Sequence, residues 1–140
     1  MCARLNVPRP KLQSLWGQGF KSVYSPKRKV FSLARLLHRR GYRIGVLSNT
    51  EEPSMCFFYK QGYDIFDVLV FSCEEEILKP QKTIYKRIVE RLRVKPQETV
   101  FIDNNPEFVE GAKQAGLNAI LLKDIDQLKK ELSRLSVKVD

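Results

Sequence analysis

Four short apolar runs separated by helical patterns predict an α/β domain with a parallel sheet of about four strands and helices on both faces. The runs are "RIGVL" (43–47), "DVLVF" (67–71), "TVFI" (99–102) and "NAILL" (118–122). Each is largely apolar instead of alternating, the pattern of a strand buried on both sides. A third observation concerns where polar groups fall. "SNT", "SCEEEILKP" and "DNN" follow the first three runs. Ligands of such sheets collect beyond the carboxyl ends of the strands, so this ordering is the functional signal.

Residues 1–25 are irregular in pattern. "RPKLQSLWGQGF" holds Leu12, Leu15 and Trp16, enough for one short amphipathic turn. A core from residue 26 to 140 is then expected. Pro26 suits a first helical turn, and Val30, Leu33, Ala34 and Leu37 recur at helical spacing. "RRGYR" closes that helix with basic residues and Gly41. After the first strand, Glu51, Glu52 and Pro53 open a helix that runs to Gly62. After the second, Lys79 and Pro80 precede a helix with Ile84, Tyr85, Ile88 and Leu92 on one face. Pro106 opens the next, with Phe108, Ala112 and Ala115 inward and Gly116 as its stop. Ile125, Leu128, Leu132 and Leu135 mark the last helix, and "SVKVD" is a short tail or an edge strand.

A chain of 140 residues, 43% of them hydrophobic, suits one domain of modest size. It has no apolar run long enough to span a membrane, and its first residues lack the apolar stretch of a secretory signal. Cys2, Cys56 and Cys73 form neither a metal spacing nor a disulfide framework. Their odd number suits a reducing compartment, so a cytoplasmic protein is expected. The net charge is +9, concentrated in "SPKRKVFSLARLLHRRGYR" and "YKRIVERLRVKP". Such a field attracts phosphate compounds, nucleic acid or anionic surfaces. No zinc finger, RNA-binding signature or aromatic-interleaved basic strand accompanies it. Solvated helix faces are the ordinary explanation, and a small phosphorylated ligand is a better expectation than nucleic acid. A nucleic-acid module would instead show salt-dependent binding through Lys27, Arg28, Arg39 and Arg40.

Five residues are candidates for a site. Ser48 and Asn49, at a strand end, offer a hydroxyl and backbone N–H groups to a phosphate, although such residues also cap helices. Lys79 is restricted by Pro80 and offers a fixed ammonium, or simply a solvated one. Asp103 closes an apolar strand beside a low-dielectric core, where it needs a metal, a cation or backbone donors. Mg2+ is a natural partner for such an oxygen ligand. Asn104, like Asn105, adds oxygens but no charge. Asp103 could also serve structurally at the start of the next helix.

The series "VLSNT … KPQKTIY … VFIDNNPEFVEGAKQAG" resembles the haloacid dehalogenase-like hydrolase superfamily over about residues 20–125. It looks most like the branch with a helical cap inserted early in the chain. The resemblance implies phosphate binding by Ser48, stabilisation of the nucleophile and transferring group by Lys79, and Mg2+ held by Asp103. The segment before Pro26 would resemble the tail of the cap. That family begins with a strand ending in D-x-D, whose first aspartate forms an aspartyl-phosphate. Here the first aspartate is Asp64. Asp124 and Asp126 follow the last apolar run, but Asp126 reads as an acid in a first helical turn.

The expected product is therefore a phosphatase-like fold with an incomplete active site and no catalysis of its own. One alternative is a magnesium-dependent phosphate-monoester hydrolase whose D-x-D strand comes from a longer chain or a partner. The other is the nucleic-acid module. Without its first strand, the sheet has a central gap. Direct pairing of the strands at 43–47 and 99–102 is the economical closure. Insertion of "SVKV" or "NVPR", or a strand donated by another chain or copy, would also fill it.

Overall fold

The structure is a computed structural model describing residues 5–8 and 24–139. Its elements in chain order are β1 (Leu5–Pro8), α1 (Tyr24–Arg39), β2 (Ile44–Ser48), α2 (Glu52–Lys60), β3 (Val68–Phe71), α3 (Ser72–Glu75) and α4 (Lys82–Leu92). A 3-10 turn at Pro96–Glu98 leads to β4 (Val100–Asp103), α5 (Pro106–Gln114), β5 (Asn118–Leu121) and α6 (Ile125–Arg134). The fold class is the one expected. The strands form one parallel sheet in the order β3-β2-β1-β4-β5.

The expected direct pairing of the two halves does not occur. Leu5–Pro8 lies between β2 and β4, with Leu5 opposite both Ile44 and Val100 and Pro8 opposite Leu47. Proline cannot donate to a ladder and argues against a central strand. The conflict is resolved because β1 has only four residues and Pro8 is its last. The gap is filled instead from the stretch overlapping "NVPR", the insertion expected as an alternative, and the inner strands keep a backbone partner. The amphipathic turn expected around Leu12, Leu15 and Trp16 lies outside the described residues.

Strand side chains alternate between two cores. Val46, Phe71, Ile102 and Ile120 face a cluster that includes Leu33 and Leu37 of α1 and Leu128 and Leu132 of α6. Leu47, Val70 and Phe101 face the other cluster, with Ile84, Tyr85 and Ile88 of α4 and Ala112 of α5. The sheet is therefore covered on both sides, which is why its strands are apolar throughout. Helix α6 starts with a capping box: Asp124 accepts from the Gln127 N–H, and the Gln127 side chain accepts from the Asp124 N–H. Asp126 sits in the first turn, as expected. The tail after α6 is not a strand. Val137 and Val139 are buried in the first core, and the Lys138 N–H donates to the Tyr42 hydroxyl. No helix among the described residues is long and apolar enough to cross a membrane.

Candidate active site

The carboxyl ends of β2 and β4 flank the end of β1, and Lys79 links them. Asn49, just after β2, accepts from the Lys79 N–H at 2.8 Å and donates its amide to the Lys79 carbonyl at 3.1 Å. This pair of bonds fixes the Lys79 backbone on the β2 side. Its ammonium then donates to Asp103 Oδ2 at 2.8 Å, at the end of β4. Both side chains are wholly buried. The ammonium also lies 4.7 Å from the ring centre of Phe108 and 5.5 Å from that of Phe101, close enough for cation–π attraction. The peptide bond from Lys79 to Pro80 is cis.

The second oxygen of Asp103 accepts from the Asn105 N–H at 3.0 Å. Asn105 in turn caps α5, its side chain accepting from the Glu107 N–H. Asp103 thus meets one ammonium and one backbone donor, the compensation a buried carboxylate requires. Asn104 is exposed. Among the described residues, no three His, Cys, Asp or Glu side chains cluster as a metal site.

Ser48 is the last residue of β2 and is fully buried, and its hydroxyl has no hydrogen-bond partner. An unmade bond of this kind costs about 1–3 kcal/mol. The next residues are held by Ser72, the first residue of α3 just after β3, which accepts from the Thr50 N–H at 2.9 Å and donates to its carbonyl at 3.2 Å. The loop from β3 to Lys79 has its own clamp. Glu75 accepts from both Arg91 terminal nitrogens, at 2.9 and 2.8 Å, and from Arg87 at 2.9 Å.

The Arg91 guanidinium holds the Glu75 carboxyl below the ordinary glutamate range; burial opposes this and Arg87 reinforces it. A lowered carboxyl contributes stability that is full above its unfolded pKa and is lost as pH falls through the folded value. Glu75→Gln should therefore flatten the acid limb of the stability profile. Urea midpoints measured from neutral pH down through the glutamate range test this. A variant profile as steep as the parent's would remove Glu75 as a contributor.

The structure thus joins Lys79, Asp103 and Asn49 directly and sets Ser48 at the same sheet rim. Of the supporting residues, Ser72 and Gly111 were not named from the sequence, whereas Asn105 was read there as an oxygen donor and Phe108 as an inward helix residue. Asn105 carries a legible signal, an Asn before Pro at a helix start. Ser72, Phe108 and Gly111 act through contacts distant in sequence. Gly111 of α5 packs so closely that an added Cβ would lie 2.7 Å from Pro80 Cβ and 2.9 Å from the Tyr85 hydroxyl.

Residues 14–116 match the family model for haloacid dehalogenase-like hydrolases. The chain is 34% identical over 71 residues to the rat bifunctional epoxide hydrolase 2, covering 51% of the chain and 13% of that protein. It is 30% identical over 139 residues to a phosphatase of Mycobacterium tuberculosis, covering 94% of the chain and 63% of that protein. The chain therefore spans less than two thirds of the length of each. Among solved structures, a haloacid dehalogenase family enzyme from Bacteroides thetaiotaomicron, complexed with magnesium and inorganic phosphate, is 28% identical, with a TM-score of 0.60. The match covers 71% of this chain and 53% of that one.

Proposed function

Because the chain belongs to the haloacid dehalogenase-like hydrolase family, we propose that it receives a phosphorylated ligand at the strand-end rim without forming an aspartyl-phosphate. The observation that carries this reading is the content of β1. The strand in the central position reads "LNVP" and is followed by Arg9, with no carboxylate to attack phosphorus. Covalent phosphoryl transfer by this route lacks its nucleophile. Two features support retained binding. The orphaned Ser48 hydroxyl has a donor to give, and Lys79 is held at the same sheet rim with its ammonium paired to Asp103.

Asp103 and Asn104 are a poor magnesium set. Both Asp103 oxygens already accept hydrogen bonds, and Asn104 brings no charge. In this reading phosphate binding is independent of magnesium. A strand supplied from outside would have to displace Leu5–Pro8 from its place between β2 and β4, which speaks against the hydrolase alternative.

Inorganic phosphate is expected to raise the melting temperature saturably, equally with magnesium or with chelator, and Ser48→Ala is expected to weaken that shift. An aryl phosphate should show no turnover above buffer. Magnesium-dependent turnover abolished by Asp103→Asn would overturn the reading, as would the absence of any phosphate effect.

A further inference from the structure

Charge in this protein is segregated along the chain. All sixteen Asp and Glu residues lie from Glu51 onward, and the first fifty residues carry only Lys and Arg as fixed charges. Helix α1 falls in the acid-free part. It buries Val30, Leu33, Ala34 and Leu37, and it exposes Arg28, Lys29, Ser32, Arg35 and Arg39, with Arg40 just beyond. Arg28, Ser32, Arg35 and Arg39 recur once per turn, so they form one stripe about 16 Å long. Lys29, Arg35, Arg39 and Arg40 have no carboxylate partner among the described residues. Arg35 and Arg39, four apart on one face, repel each other. No acid occupies the helix's first turn, where one would be favourable. These choices weaken a helix in isolation and suit an external anion.

The charged face continues across a groove onto α6. This groove, of about 460 Å³, has Leu33, Leu36 and Ile125 as its apolar floor and Arg28, Lys29, Ser32 and Lys129 around it, with Asp126 as its acid. A second cleft of about 710 Å³ shares Asp126 and adds Lys113, Lys123, Lys130 and Arg134, along with Asp124 and Glu131. Among the side chains described, the large exposed apolar ones are Phe57, Tyr59, Leu78 and Leu135, none of them on α1. Positive charge repeated once per helical turn fits a repeated phosphate.

We propose that the α1–α6 face binds the phosphodiester backbone of a nucleic acid, without sequence preference. Partners come from Lys29, Arg35, Arg39 and Lys129. Four neutralised phosphates give a log–log salt slope of about −3 on a single strand, roughly a fifty-fold loss between about 50 and 200 mM salt.

Fluorescence anisotropy with labelled RNA and DNA oligonucleotides of scrambled sequence tests this on the intact chain. Arg35→Gln/Arg39→Gln should weaken binding about tenfold and lower the slope by about 1.4, two phosphates at about 0.7 each. Lys82→Gln/Lys86→Gln removes the same charge from exposed positions on α4, across the sheet, and should leave affinity within about twofold. Melting temperatures of both variants should match the parent's. Equal losses in the two variants would reduce the effect to net charge and overturn the proposal. So would the absence of saturable binding at low salt, or tighter α1-dependent binding of polyglutamate or anionic vesicles. Similar affinities for RNA and DNA of different sequences would support backbone recognition; phosphate binding at the strand-end rim is unaffected by any of these outcomes.

Discussion

Lys79→Met is expected to lower the unfolding free energy by about 3–5 kcal/mol, the usual cost of removing one partner from a buried ion pair. The reason is the partner left behind. Asp103 is wholly buried, and its remaining donor would be the Asn105 N–H. One backbone bond does not compensate a carboxylate in the core. Phe101 and Phe108 would lose their cation as well. Asp103→Asn should cost less, because the amide keeps an oxygen for the Asn105 N–H, yet it takes the carboxylate's charge away from the ammonium. The pair taken together is not the source of the loss. Lys79→Met/Asp103→Leu replaces both charges by apolar groups, and such replacements are often neutral or stabilising. Urea unfolding of the parent, both single variants and the double variant closes the cycle. If the double variant loses as much as the sum of the singles, the two residues act independently and the bridge has no energetic meaning.

Gly111→Ala is expected to destabilise by up to about 2 kcal/mol, against the trend of helix propensity. In a helix interior, alanine is worth about 1 kcal/mol over glycine. Here the added Cβ would sit 2.7 Å from Pro80 Cβ, 2.9 Å from the Tyr85 hydroxyl and 3.0 Å from the Pro80 carbonyl. None of these yields cheaply. Pro80 is a rigid ring next to Lys79, and the Tyr85 hydroxyl is fixed by its 2.7 Å bond to the Phe108 carbonyl. Overpacking typically costs 1–3 kcal/mol, enough to outweigh the propensity gain. The strain would fall on the segment that presents Lys79, so the phosphate-induced melting shift should shrink along with stability. The comparison is Lys113→Ala, two residues away and exposed, which should leave both nearly unchanged. A higher melting temperature for Gly111→Ala would show that the contact is looser than the geometry implies.

Much of this molecule was legible as pattern. The four apolar runs became β2 to β5 within a residue or so at each end, because strands buried on both faces leave no polar position to blur the signal. Helix starts at Pro106 and before Ile125 followed from local capping chemistry, which acts over three or four residues. Ser48, Lys79 and Asp103 were found because they end or follow strands, and parallel sheets gather such positions at one rim. What escaped was decided by contacts between distant segments. "LNVP" is short and ends in proline, so the overlapping "NVPR" read only as one possible filler and not as the central strand. It is one because β2 and β4 both offer it unpaired backbone, and neither requires a side-chain pattern. The partner of Asp103 could not be chosen from the sequence among metal, cation and backbone donors. In the structure the carboxylate meets a cation and a backbone donor, since Asn49 anchors Lys79 on one side of β1 and leaves its ammonium within 2.8 Å of the carboxylate on the other. Sequence determined which groups reach the rim; tertiary structure determined how their charges are satisfied, because that depends on distances the chain order does not contain.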